Sequence, residues 1–238
     1  MVRLRRSRMA DSADRHYLYQ ESVQDTEAEI DFVEETWQAL RSRPAELLRE
    51  DFCGTANTAC EWVRRDPGHY AIGIDLDSEV LEWGRLNNLS QLSPEEQTRI
   101  ELLEEDVLDV APELADIVLA MNFSYYLFLT RRRMLAYFES VHAGLADDGI
   151  FFLDAYGGYD SHRNIEEERE CDDFTYIWEQ AGFNPIDSTM TCHIHFEFPD
   201  KSRMDRAFSY SWRLWTLPEI REILFEAGFS EVAVYWEG

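Results

Sequence analysis

The chain has 238 residues, 45% hydrophobic and 13% aromatic, enough for one large α/β domain or a domain with an embedded cap. Its formal net charge of −26 would repel phosphate backbones and argues against a DNA or bulk RNA partner. No apolar run approaches the roughly 20 residues that cross a bilayer, and none follows the basic start MVRLRRSRM, so neither a membrane span nor a secretory signal is read.

Residues 1–16 read as a disordered basic tail. From about residue 24 to 43, Ile30, Phe32, Val33, Trp37 and Leu40 recur at helical spacing, and Pro44 marks the end. AELLREDFC then reads as a buried strand. The chain looks helical from Thr55 through ANTACEWVRR until Asp66-Pro67-Gly68 breaks it. YAIGIDL is a second strand, and SEVLEWGRLNNL a helix with Asp77 or Ser78 as its N-cap. IELLEEDV and ADIVLAMNF follow as strands, TRRRMLAYFESVHAGLADD as an amphipathic helix, and DGIFFLDAY as a fifth strand. Strands and helices alternating in this way predict an α/β, doubly wound, mainly parallel sheet with helices on both faces.

The pattern changes over residues 171–215. Short aromatic and β-branched runs are broken at Asn184-Pro185 and Pro199-Asp200-Lys201-Ser202, as hairpin connections are. An antiparallel β meander inserted as a cap over a ligand cleft is expected. LPEIREILFEAGF reads as a helix and SEVAVYWEG as a final strand. Cys53, Cys60, Cys171 and Cys192 form no CxxC pair, which fits a reducing cytoplasm. In TCHIHFEF, His193 and His195 share a strand face while Cys192 points to the other, so no metal is assigned.

In open parallel sheets, ligands bind outside the carboxyl ends of the strands. Four segments fall there. Glu50-Asp51-Phe52-Cys53-Gly54-Thr55-Ala56 is a tight strand-to-helix turn whose Gly54 lets backbone approach a ligand. Asp75, about twenty residues on in GIDLD, is placed to accept both hydroxyls of a ribose, leaving Asp77 or Ser78 to cap the helix. Glu105-Asp106-Val107 offers a carboxylate beside a backbone N–H, the complement of an adenine edge. Asn122 leaves the apolar fourth strand, with Tyr125 and Tyr126 after it as either an aromatic wall or plain core.

Together these segments resemble, in order, the motif set of class I, Rossmann-like S-adenosylmethionine-dependent methyltransferases, over roughly residues 17–158 and 216–238. Cys53-Gly54-Thr55 is similar to the family's Cys-Gly-Thr-Gly form, and His142 to Ile150 and Leu224 to Phe229 resemble its approach to strand five and its last helix. The resemblance implies S-adenosyl-L-methionine as cofactor, with Glu50, Cys53, Gly54, Thr55, Asp75, Leu76, Asp106, Val107 and Asn122 holding it. Within the class, the chain resembles small-molecule methyltransferases such as the glycine and aminosugar N-methyltransferases, whose N-terminal aromatic segment closes over the cofactor. Tyr17, Tyr19 and Gln24 are the lid candidates.

The implied organisation is a tail at 1–16, a helical lid at 17–44, a cofactor domain at 45–158 and 216–238, and a substrate cap at 159–215. Two departures stand out. Phe52 and Ala56 replace the first and third family glycines, so the loop is expected to be tighter or to bind more weakly. The chain also stops where the family's seventh, antiparallel strand would follow, so that last strand is expected to be absent.

Methyl transfer from a sulfonium is an in-line displacement, in which the protein mainly aligns the reactants. No general base stands out; Tyr126, Tyr156 and His162, with Asp154, are the nearest candidates for catalytic work. Aromatic walls suit an amine acceptor and favour N- over O-methylation of a small molecule. Two rivals remain: a nicotinamide-dependent dehydrogenase, which lacks its G-x-G-x-x-G here, and a catalytically silent binding protein.

Overall fold

The computed structural model describes residues 8–110 and 114–236, and the chain divides into two compact units. One unit comprises Asp25–Ala155 and Thr216–Gly238. Its sheet has five parallel strands, β1 (Leu47–Asp51), β2 (Tyr70–Asp75), β3 (Ile100–Glu104), β4 (Ala115–Ala120) and β5 (Leu145–Leu153), in the order β3-β2-β1-β4-β5. This is the doubly wound arrangement that the strand–helix alternation predicts, with its switch of direction between β1 and β4. The expected strand segments all form here except the last.

The central strands are buried along nearly their whole length, as a parallel sheet with covered faces requires, and all six residues of β4 are buried. Helix α3 (Thr26–Leu40) contributes Ile30, Val33 and Trp37 to this core, and α4 (Asn57–Arg65) contributes Ala59, Cys60, Trp62 and Val63. Fully burying a side chain of Ile or Leu size stabilises by about 1.5–3 kcal/mol. Three further helices lie between strands: α5 (Ser78–Asn87), capped by the Asp77 carboxylate at the amides of Glu79 and Val80, the short α6 (Pro94–Gln97), capped by Ser93, and α7 (Arg131–Ala143), capped by Thr130.

After α8 (Leu217–Ala227), the expected strand SEVAVYWEG does not form: residues 230–236 join no ladder among the described residues. Val232, Val234 and Tyr235 have the right propensity. A strand, however, is defined by a hydrogen-bonded neighbour, and here Tyr235 packs its ring on Phe32 of α3 at 5.3 Å instead.

The other unit comprises Met1–Gln24 and Tyr156–Trp215. Its antiparallel sheet runs β6 (Ile165–Glu170), β7 (Thr175–Asn184), β8 (Thr189–Glu197) and β9 (Arg203–Arg213), the expected meander with one strand more. Of the segment read as a disordered tail, residues 1–7 lie outside the described residues. From Met9 the chain is helical, in α1 (Met9–Ser12) and α2 (Arg15–Val23). The amides of Met9 and Ala10 donate to the Asp200 carboxylate and the Ser202 hydroxyl at 3.0 Å each, and Leu18 is buried beside Ile194 and Phe196. Residues 17–44 are therefore not one element: α2 packs with the meander, and α3 with the parallel sheet.

Candidate functional site

The site is built from the β1 turn outward. Phe52, Gly54 and Ala56 all take left-handed backbone, with φ of 58°, 52° and 56°. Phe52 and Ala56, which stand where the resembled motif has glycine, thus adopt backbone that favours glycine, at roughly 1–2 kcal/mol each. Two features hold them there. The Phe52 ring packs on Tyr137 and Phe128 at 5.5 and 6.1 Å. The Ala56 amide donates to the Cys53 carbonyl at 2.8 Å, closing the turn before α4. Gly84 of α5 lets the Thr55 carbonyl come so close that a Cβ there would lie 2.5 Å from its oxygen, and the Asn88 amide holds the same carbonyl at 2.8 Å. A Cβ at Gly54, by contrast, would meet nothing within 4 Å, so the turn presents backbone to open space.

Asp75, the last residue of β2, accepts from the Gly54 amide at 2.8 Å and from the Asp77 amide at 2.9 Å, one bond to each oxygen. It ties the β1 turn to β2 and keeps lone pairs on both oxygens. Asp77 rather than Ser78 caps α5. Leu76 is 67% exposed, an unusual setting for leucine. Asp106, beyond β3, accepts from the Leu108 amide at 3.0 Å, while Val107 is buried and its carbonyl accepts from Ser140 of α7 at 3.2 Å. Glu50, buried at the end of β1, accepts from the Ala59 amide at 2.9 Å. The thiol of Cys53 is buried and its pKa is pushed up by that burial.

Past β4, Asn122 and Phe123 are also left-handed, and both donate their amides to Asp154 just after β5. Tyr125 and Tyr126 are fully buried, packed edge to face at 5.1 Å. They are core, and Tyr126 presents no surface to an acceptor. The remaining candidates belong to the other unit. Tyr19 packs on Phe208 at 5.1 Å, and Tyr17 is exposed. The hydroxyl of Tyr156 donates to Gln180 at 2.9 Å, and His162 meets the Phe183 ring at 4.6 Å. The meander histidines have partners too: His193 bonds Ser209 at 2.8 Å, and His195 lies between Glu179 at 3.0 Å and the Arg206 amide at 3.1 Å.

One member of the site escaped the sequence reading. Glu29, in the first turn of α3, is half-buried and accepts from Thr58 at 3.3 Å. The only available signal was its place four residues before Val33, at the margin of the apolar stripe of α3. With Glu29, four carboxyl groups gather at the carboxyl ends of the parallel strands. Burial pushes Glu50 up to about 8, with the charges of Glu29 and Asp75 acting the same way. Burial and the neighbouring Asp154 carry Glu29 to about 7. Burial raises Asp154 to about 6 against its two amide bonds, and raises Asp75 against the amides of Asp77 and Gly54. No Lys, Arg or His forms an ion pair with any of the four among the described residues.

The five-stranded parallel sheet, its switch point and the four-stranded antiparallel insertion define the class I methyltransferase fold. No protein-family model matches the sequence, and no curated protein is similar to it. Solved structures do share its fold. An S-adenosylmethionine-dependent methyltransferase from Clostridium acetobutylicum superposes with a TM-score of 0.71 at 19% identity, over 89% of this chain and 85% of that one. CalS10, an amino pentose methyltransferase from Micromonospora echinaspora, gives 0.70 at 15% identity over 90% and 87%. DesVI from Streptomyces venezuelae gives 0.68 at 17% identity over 90% and 87%.

Proposed function

We propose that the chain is an S-adenosyl-L-methionine-dependent methyltransferase acting on a small-molecule acceptor, with transfer to nitrogen favoured over oxygen. The observation that carries this reading is the group of four desolvated carboxyls with no ion-pair partner among the described residues. Buried charge needs a partner, so the site awaits a ligand that brings positive charge. The adenosyl cofactor carries an ammonium and a sulfonium against one carboxylate and is a net cation; an oxidised nicotinamide dinucleotide carries two phosphates against one pyridinium and is a net anion, which these carboxyls would repel. The residues fit: open space before Gly54 admits the ligand's main body, and the free lone pairs of Asp75 suit two ribose hydroxyls. Glu50 lies where an ammonium is wanted, exposed Leu76 offers an apolar face to the base, and Asp106 and Val107 supply its polar edge.

When bound, the cofactor supplies an electrophilic methyl group. The protein's own residues align and discharge. Glu29 and Glu50 draw a cationic amine toward the crevice. Glu29, whose pKa lies near neutrality, accepts its proton, leaving a lone pair free to attack. The preference for nitrogen is supported by this anionic setting and by the likeness to an amino pentose methyltransferase and to the sugar N-methyltransferase KedS8. Free thiols, and no helix among the described residues long and apolar enough to cross a membrane, are consistent with the cytoplasm.

Thermal unfolding with S-adenosylmethionine, S-adenosylhomocysteine and NAD tests the reading. At a hundred times its dissociation constant a ligand stabilises by about 2.7 kcal/mol, a rise of roughly 5–10 °C for a chain of this size. The adenosyl ligands should produce this rise and Asp75→Ala should abolish it, after which a panel of small amines and alcohols identifies the acceptor. A response to NAD alone would overturn the proposal. Adenosyl binding with no turnover across the panel would favour a silent binding protein.

A further inference from the structure

The turn after β4 is held in a form its sequence does not favour. Asn122 and Phe123 have φ of 57° and 55°, and left-handed backbone costs roughly 1–2 kcal/mol at each non-glycine residue. Successive strained residues persist only where the surroundings over-determine them. Here the two amides point into one concavity, the kind of feature that binds anions, and its occupant is the Asp154 side chain. Asn122 donates to one carboxylate oxygen at 2.8 Å and Phe123 to the other at 2.9 Å. The Tyr125 hydroxyl closes the loop by donating to the Asp154 main-chain carbonyl at 2.6 Å. The end of β5 thereby grips the turn at the end of β4. That turn lies beside the β1–β4 switch point, the crevice where ligands of open parallel sheets bind.

We infer that Asp154 is a positioning residue of the transferase site: through the amides of Asn122 and Phe123 it fixes Asn122 on the β4–β5 side of the crevice, across β1 from the β2 and β3 ends that carry the cofactor residues Asp75 and Asp106, which leaves Asn122 to the acceptor rather than to the nucleoside. The inference rests on the reading given above. Each carboxylate oxygen is held by one amide of the turn, so the role assigned to Asp154 is to fix Asn122 rather than to meet the acceptor itself. The grip requires two acceptor oxygens and is strongest when Asp154 is ionised. The titratable groups facing it are Glu29 from α3 and the Tyr125 phenol, and Glu29 opposes its ionisation. The turn therefore loosens as the carboxyl takes up a proton.

Two cofactor analogues test this without knowledge of the acceptor. S-adenosylhomocysteine reports the cofactor side alone. Sinefungin, in which a carbon bearing an ammonium replaces the sulfonium and its methyl, reaches into the acceptor side. Calorimetric affinities would be measured for the wild type, Asp154→Asn, and Asp154→Asn combined with Phe123→Gly, whose glycine adopts positive φ unaided.

Asp154→Asn should weaken sinefungin about tenfold and S-adenosylhomocysteine less than about threefold, and the added glycine should restore part of the difference. In the wild type the preference for sinefungin should show a fall as pH drops through about 6, and Asp154→Asn should lack that step while keeping the fall at higher pH that Glu29 and Glu50 impose on a cation. Equal loss of both ligands, loss of neither, or the step near pH 6 surviving in Asp154→Asn would each overturn the inference while leaving the transferase reading intact. Binding of neither analogue by the wild type would overturn both. Should Asp154→Asn alone fail to fold, the double variant carries the same comparison.

Discussion

Arg49 donates to both carboxylate oxygens of Asp51, at 2.6 and 3.0 Å, although neither side chain reaches solvent. The two lie two residues apart on β1 and so share a face of the strand, and the Tyr137 hydroxyl completes the shell of Asp51 at 2.9 Å. Breaking such a pair leaves one uncompensated buried charge, whereas replacing both partners removes the desolvation penalty as well. Asp51→Ala should therefore destabilise by about 3–5 kcal/mol in urea, and Arg49→Met with Asp51→Leu by clearly less. A double variant as damaged as the single one would show that the charges themselves are required.

Gly84 gives a steric prediction. Alanine should favour a helix interior by about 1 kcal/mol, yet its Cβ would lie 2.5 Å from the Thr55 carbonyl oxygen. Gly84→Ala should destabilise by about 1–3 kcal/mol net, because backbone cannot yield as a side-chain tip would. It should also weaken adenosyl binding by displacing the β1 turn. Gly157→Ala, where a Cβ meets nothing within 4 Å, is the control and should stay within about 0.5 kcal/mol.

Ala56 tests how the turn tolerates its own backbone. Glycine relieves the left-handed strain and forfeits one buried methyl group, each on the order of 1 kcal/mol, so Ala56→Gly should be nearly neutral in thermal unfolding. Ala56→Val puts a β-branched side chain at positive φ in a site with no free surface and should cost more than about 2 kcal/mol. Equal effects would mean that φ at this position is not limiting.

The raised carboxyls set a pH dependence with a definite sign. Glu50, Glu29 and Asp154 have folded pKa values near 8, 7 and 6, above their unfolded values of about 4. The native state then binds more protons than the unfolded state between about pH 4 and pH 8. Their stabilising contribution is complete below about pH 4 and is lost as pH rises through the folded values. For buried Glu50 the slope approaches about 1.4 kcal/mol per pH unit. Urea titrations at pH 5 and pH 8 should show Glu50→Gln gaining on the wild type at the higher pH. A cationic ligand should bind more tightly there, with release of protons. An unchanged difference between the two pH values would remove Glu50 from this account.

Much of the fold could be read in advance because its signals are local. The alternation that gives β1 to β5, the Asp77 cap and the break at Asp66-Pro67-Gly68 need no tertiary context. β6 was illegible for the opposite reason. IEEERE has four glutamates and becomes a strand only because β7 offers it a ladder, while its charges suit an exposed edge. Residues 230–236 are the reverse case, with good propensity and no ladder among the described residues. In the candidate site, Gly54, Asp75 and Asn122 could be named because backbone approach and strand ends leave marks in sequence. Glu29 could not, since its importance arises from burial beside Asp154 and Glu50, residues far from it in the chain. An aromatic after a strand serves a wall or a core equally well, and the burial of Tyr126 is not legible in its sequence context.

The β1 turn makes three left-handed steps with a single glycine among them. Glycine adopts such backbone freely, whereas here phenylalanine and alanine are pressed into it by their neighbours. The contour is therefore a property of the packing around the turn as much as of the turn itself, so substitutions at Phe128 or Tyr137, remote in sequence, reach the ligand-facing backbone through the Phe52 ring.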